Sequence, residues 1–232
     1  MVELTALVNS PTYWNATYER ELGEGRVRSH EDVWRHLLPH IPDLGLVVDV
    51  GCGTGEFLRW LRGQRPVQPL VGLDHSELAI RHALKIEGAE GAAPGEMAIQ
   101  PSPLMNREQR RRLSAGQAAA GKTRRLLIRF GLSDAYHLQV PNNTADCVYS
   151  GHLLEHLEDP VRALREQRRI LRRGGTVIAH FPHEDQPYVE HVQVLNFGKV
   201  MGWLEEAGFL VIGHSEVIPG RPTNDGFVWG KK

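Results

Sequence analysis

Cysteine is scarce in this chain: two residues, Cys52 and Cys147, among 232. Both lie in apolar segments, so no disulfide framework is expected and a reducing, cytoplasmic setting is the default. Long hydrophobic runs are also missing. No stretch approaches about 18 apolar residues, so no membrane-spanning helix is expected. The opening MVELTALVNSPTYWN lacks the basic start and long apolar stretch of a signal peptide. Net charge is nearly absent, with 27 Lys and Arg against 28 Asp and Glu. That argues against a chain basic throughout and built to coat nucleic acid. What remains is ordinary globular composition, 41% apolar with 24 Gly and 14 Pro, sufficient for one core and a single domain over 1–232. Collagen-like, coiled-coil and wholly disordered chains are excluded.

The small net charge hides an uneven distribution. Arg107 to Arg129 carries eight basic residues and one acid, Glu108, a local charge of +7 that leaves −8 for the rest. This segment overlaps a stretch, 88–123, that reads as an insertion, either a lid or a disordered loop, Gly/Pro/Ala-rich in its first half and able to form a short basic helix from Asn106 in its second. Its charge admits a solvated face, a lid for an acidic small substrate, or a nucleic-acid patch. Phe130 is the one aromatic nearby, which serves base stacking poorly.

Elsewhere short apolar runs alternate with helical stretches, the pattern of an α/β fold with a mostly parallel sheet. Strands are expected at 46–50, 70–73, 126–130, 145–150, 176–181, 209–218 and 227–229. Helices are expected over 56–61, from Ser76 as N-cap to about Glu87, from Pro160 to Leu171, and over 197–206. Arg172, Arg173 and Gly174 read as a basic last turn and glycine stop. The short link between the last two strands requires them to be antiparallel. Residues 1–40 read as an N-terminal helical cap.

The most informative stretch is Val47-Val48-Asp49-Val50-Gly51-Cys52-Gly53-Thr54-Gly55. A buried strand runs into three alternating glycines and opens a helix, so a ligand can approach the main chain near free N–H groups. Asp74 follows at the end of the next strand, nineteen residues after Gly55, where a carboxylate can accept hydrogen bonds from both hydroxyls of a ribose. A nicotinamide site would ask for glycine at position 56, which is Glu56 here. Asp49 and Asp74 disfavour a dinucleotide phosphate and suit a cationic ligand.

These residues resemble motif I and motif II of the class I S-adenosylmethionine-dependent methyltransferases, in the small-molecule, type 11-like branch. The resemblance extends through Ser133-Asp134-Ala135, Asp146 to Pro160, Leu171 to Gly175 and Glu205 to Phe209, roughly residues 30–230. It implies a Rossmann-like seven-stranded, mostly parallel sheet with an antiparallel last strand, and helices on both faces. It implies S-adenosylmethionine as cofactor, held by Asp49, Gly51, Cys52, Gly53, Gly55, Asp74, His75, Asp134, Ala135, Ser150 and Gly151. The 88–123 insertion departs from the family pattern.

Methyl transfer from a sulfonium is an in-line displacement, so much of catalysis is alignment and exclusion of water. A base helps when the acceptor is a hydroxyl or protonated amine. His152 after strand four and His183 after strand five are the candidates, with Tyr13, Tyr18 and His180 as candidate substrate contacts. HFPHED with His191 has the composition of a metal cluster, but Pro182 and strand alternation make a shared geometry awkward, so no metal is expected. The acceptor is expected to be an oxygen or nitrogen of a small metabolite, on a monomer or homodimer without membrane contact. The alternatives are an RNA methyltransferase using the 107–129 segment and a non-catalytic cofactor-binding regulator.

Overall fold

The computed structural model describes residues 9–25, 30–66, 68–88, 127–183, 190–215 and 225–232. The 88–123 insertion beyond Gly88, the basic segment as far as residue 126, and Glu184 and Asp185 of HFPHED lie outside them. Thirteen named elements follow in chain order: α1 (Pro11–Gly23), α2 (Glu31–Leu37), β1 (Val47–Val50), α3 (Glu56–Gln64), β2 (Leu70–Asp74), α4 (Glu77–Ile86), β3 (Arg129–Leu132), β4 (Ala145–Gly151), α5 (Pro160–Ile170), β5 (Leu171–Pro182), α6 (Phe197–Glu206), β6 (Leu210–Ser215) and β7 (Asp225–Lys231). Short 3₁₀ turns cover Leu38–His40 and Leu154–His156.

The strands form one sheet in the order β3-β2-β1-β4-β5-β7-β6. The pairs from β3 to β5 are parallel, and β7 runs antiparallel to both β5 and β6. This is the Rossmann-like, mostly parallel sheet that the alternation of elements predicts. Central strands are buried on both faces, which is why 47–50 reads as an unbroken apolar run. Val48, Val50, Val71, Leu73 and Val148 pack with Leu164 of α5 and Leu204 of α6. Val47, Leu70, Cys147, Tyr149 and Ile178 face the other way, against Leu37, Phe57, Leu61 and Ile80. Side-chain alternation along a strand thus divides the core between two helical layers. Cys52 and Cys147 are free thiols. Burial pushes the Cys147 thiol up to about 12, which leaves it inert at neutral pH. Among the described residues no helix is long and apolar enough to cross a membrane.

Helix boundaries follow local chemistry. Ser76 caps α4 by accepting the Ala79 N–H at 3.2 Å, as its position predicts. Asp159 caps α5 and Asn196 caps α6 in the same way. Several expected boundaries move: β7 extends to Asp225–Lys231 from 227–229, α3 runs on to Gln64, and two others shift under the pull of the sheet. Strand three lies at Arg129–Leu132 rather than 126–130, because its register is set by β2, from Val71 opposite Arg129 to Asp74 opposite Leu132. Helix α5 ends at Ile170, and Leu171 is already extended and paired with Ala145. Arg172, Arg173 and Gly174 therefore sit in an irregular start of β5, not in a helix cap. Arg172 pairs with Asp146 there, and Gly174 donates its N–H to the Lys232 carbonyl at 2.9 Å. The helical reading fails because Leu171 is wholly buried in the sheet.

Candidate functional site

The carboxyl ends of β1, β2 and β4 open into a cavity of about 1100 Å³. That exceeds the usual span of about 300–1,000 Å³ for a single small-ligand pocket. One half is lined by Asp49, Gly51, Cys52, Gly53, Asp74, His75, Asp134 and Ala135, the other by Trp14, Tyr18, His30, His152, His156 and Asp225.

In the first half, the β1–α3 loop is fastened to the end of β2. Gly51 and Cys52 donate their N–H groups to the Leu73 carbonyl at 2.8 and 3.0 Å. Asp74 completes the lock: one carboxylate oxygen accepts the Gly53 N–H and the other the Ser76 N–H, both at 2.8 Å. Each oxygen keeps lone-pair capacity for a ligand hydroxyl. Gly55 adopts φ +88°, and a β-carbon there would lie 2.5 Å from the Phe130 ring. Gly55→Ala is therefore expected to destabilise the protein by about 1–3 kcal/mol, visible as a lower denaturation midpoint; an unchanged midpoint would show that the loop has no need of the left-handed conformation.

Asp49 lies behind this loop, 2% exposed. Its Oδ1 has no hydrogen-bond partner among the described residues. Burial, with the nearby charges of Asp74 and Glu56, raises its pKa well above the ordinary carboxylate range. A buried acid of this kind at the floor of a cavity fits a cationic ligand. Asp134 lies at the rim, more than half exposed, and its Oδ1 accepts the Tyr136 N–H at 2.9 Å.

The second half is roofed by α1. Asn15 on this helix accepts hydrogen bonds from the Ser76 hydroxyl at 2.7 Å and the Leu78 N–H at 3.2 Å. Trp14 packs edge-on against His156, with ring centroids 4.8 Å apart. The Tyr18 hydroxyl stands over Gly53, 2.7 Å from where a β-carbon would be. The helix thus crosses the cavity from the start of α4 to the Leu154–His156 turn.

Beneath that roof lies a cluster of histidines. His152 follows β4 in a left-handed conformation, φ +51°, uncommon for residues other than glycine although histidine, like asparagine and aspartate, enters it more often than most. Its N–H donates to the His180 carbonyl at 2.9 Å, which holds the turn. The His152 ring lies 4.5 Å from His30 and 4.6 Å from His180. All three imidazoles face Asp225 at the start of β7. Burial lowers the His180 pKa to about 4, so this imidazole is neutral near pH 7. Burial alone would raise the Asp225 pKa, but the His180 and His30 imidazoles outweigh it and hold the carboxyl well below the ordinary range.

Of the residues singled out in the sequence, the structure gathers Asp49, Gly51, Cys52, Gly53, Asp74, His75, Asp134, Ala135, Gly151, His152 and Tyr18 around this one cavity. Tyr13, Gly55, Ser150, His180 and His183 do not line it. Ser150 is fully buried within the sheet, and His183 packs against Phe197 with ring centroids 4.3 Å apart. His180 stands behind the wall, with its Nδ1 2.9 Å from the Tyr149 hydroxyl. His30, Asp225 and Asn15 escape sequence reasoning. His30 and Asp225 are 195 residues apart in the chain, and neither lies in a motif.

Comparison with known proteins agrees with this geometry. The family model described as a methyltransferase domain matches residues 26–214. The chain is 26% identical to a phosphatidylethanolamine N-methyltransferase of Cereibacter sphaeroides, over 87% of this chain and 82% of the relative. It is 24% identical to a tRNA U34 carboxymethyltransferase of Mannheimia succiniciproducens, over 76% of this chain and 49% of the relative. Several other curated relatives are likewise matched over less than half of their length. A solved SAM-dependent methyltransferase from Aquifex aeolicus superposes with a TM-score of 0.59 at 17% identity, covering 85% of this chain and 88% of that one.

Proposed function

The chain belongs to the methyltransferase-domain family, and on that premise we propose that it transfers the methyl group of S-adenosylmethionine to an oxygen or nitrogen of a small-molecule acceptor. When bound, the cofactor would supply an activated methyl carbon for in-line displacement, and the proton leaving the acceptor heteroatom would pass to a base in the wall, for which His152 is the candidate. Asp74 holds the ribose, the β1–α3 loop lets the cofactor lie against the main chain, and Asp49 supplies the counter-charge for a cation. Asp134 and Ala135 close the adenine end.

The observation that carries the small-acceptor reading is the roof. Helix α1 touches both rims of the cavity, through Asn15 on one side and Trp14 on the other. Such a cover excludes water from the displacement and leaves room for a compact acceptor. The histidine cluster forms the wall on that side. The relative that acts on phosphatidylethanolamine, matched over most of its length, supports an amine or similar headgroup-sized acceptor.

The test is methyl transfer from labelled cofactor to a panel of small alcohols, acids and amines, with tRNA as a parallel substrate. Labelled small-molecule product supports the proposal; label found in tRNA alone overturns it. His152→Ala is expected to lower turnover by about 10²-fold or more, with cofactor affinity measured by calorimetry essentially retained. Equal losses in turnover and cofactor affinity would place His152 in cofactor binding instead.

A further inference from the structure

We propose that His30, His152, His180 and Asp225 bind a divalent first-row transition-metal ion in the acceptor wall of the cavity. The inference deepens the methyl-transfer reading and rests on it for the position of the acceptor. Its geometry is independent of that reading. The four residues come from four separate parts of the chain, and their ligand atoms all lie within 4.8 Å of one another. Each imidazole directs one ring nitrogen at the same carboxylate: His30 Nδ1 lies 3.2 Å, His152 Nε2 3.5 Å and His180 Nε2 3.7 Å from an Asp225 oxygen. Tetrahedral zinc, with bonds near 2.0–2.1 Å, separates its ligand atoms by about 3.3–3.4 Å. The cluster therefore needs small adjustment to close around an ion.

Two of the three imidazoles have an oxygen close to the ring nitrogen that faces away from Asp225. A ligating histidine usually gives its other ring N–H to an oxygen, which fixes the ring and its tautomer. His180 Nδ1 is 2.9 Å from the Tyr149 hydroxyl, and His152 Nδ1 is 3.2 Å from the buried Glu155 carboxylate. His180 Nε2 has no hydrogen bond among the described residues, and its side chain is fully buried. Three imidazoles and one carboxylate favour zinc, iron(II) or a similar ion over calcium or magnesium, which prefer all-oxygen shells. A second group, Glu155, His156 and His191, also brings donors together. It is the poorer site, because it offers three donors where the other offers four.

An ion at this place would fasten the segment before α2, the turn after β4, and strands β5 and β7 to one another. With a fifth position open toward the cavity, it would offer the acceptor heteroatom a Lewis-acidic anchor that lowers its pKa, taking over activation from His152, whose two ring nitrogens are then both engaged.

The test uses the full chain without an affinity tag, stripped with chelator and titrated with Co²⁺ as probe. One equivalent is expected to bind with visible d–d absorption, to be displaced by Zn²⁺, and to raise the denaturation midpoint. His30→Ala, at the partly exposed edge of the cluster, is expected to weaken Co²⁺ binding by at least about tenfold while the protein stays folded. His180→Ala should do the same, but it empties a buried position and so serves as the second variant. Co²⁺ and Zn²⁺ binding equally well to the native protein and to His30→Ala would overturn the proposal. Calorimetry with S-adenosylmethionine on the same samples separates the two readings. Metal binding without cofactor binding keeps the ion and sinks methyl transfer, and the reverse keeps methyl transfer and sinks the ion.

Discussion

Asp74→Ala is expected to weaken binding of S-adenosylmethionine and S-adenosylhomocysteine alike by about 10²–10⁴-fold. A hydrogen bond to a charged group contributes about 1.5–3 kcal/mol, and Asp74 can offer one to each ribose hydroxyl, so roughly 3–6 kcal/mol is at stake. The loss also reaches the protein itself. The Gly53 and Ser76 N–H groups are held by the same carboxylate, and without it the β1–α3 loop keeps only its backbone ties to the Leu73 carbonyl. Asp74→Asn separates the two effects. It keeps the volume, but its amide nitrogen cannot accept from a backbone N–H, so it should fall between Ala and the native residue. Calorimetry gives the affinities directly. A drop smaller than about fivefold for Asp74→Ala would remove the ribose role.

The second large effect concerns pH. In the cofactor-free protein the Asp49 pKa is raised by burial, by Asp74 and by Glu56, so its proton is held more tightly than in the unfolded chain. A raised folded pKa costs stability as pH climbs from the unfolded to the folded value. A cation bound beside Asp49 favours the ionised form and pulls that pKa back down. Binding of S-adenosylmethionine should therefore release a proton below the free-protein pKa. Its affinity should rise about tenfold per pH unit up to that pKa and then level off. Calorimetry in buffers of different ionisation enthalpy measures the proton count. Asp49→Asn should abolish both the release and the pH slope. Heats that are the same in every buffer would show that Asp49 takes no part in binding the cation.

Much of the glycine-loop side of the cavity is legible in the residues alone, because its signals are local. A strand ending in alternating glycines, an acid closing the next strand and a serine at a helix start each occupy a few adjacent residues, and periodicity fixes which way they face. The histidine side is legible only in part. His152 stands out because it follows β4 directly, whereas His30 and Asp225 meet it only once the sheet is assembled. Nothing in the residues around Asp225 marks it, since an Asn-Asp-Gly sequence reads as a turn. His183 misleads for the opposite reason. It sits at a strand end that looks functional, yet Phe197 of α6 takes up its ring. The boundary of β5 escapes a local reading because basic residues followed by glycine stop a helix in isolation, while here the burial of Leu171 ends it earlier.

The order β5-β7-β6 also dictates a sequence of events in folding. Strand β6 reaches the sheet only through β7, although it precedes β7 in the chain. It has no partner in the sheet until β7 has been made, whether it joins after β7 or as a β6–β7 pair. Asp225 travels with β7, so the histidine wall is completed in the same step that closes the sheet. A nascent chain can thus assemble its parallel strands and the β1–α3 loop before the histidine wall is complete. A chain cut before residue 225 would leave one edge of β5 unpaired, exposing a long hydrophobic strand to aggregation.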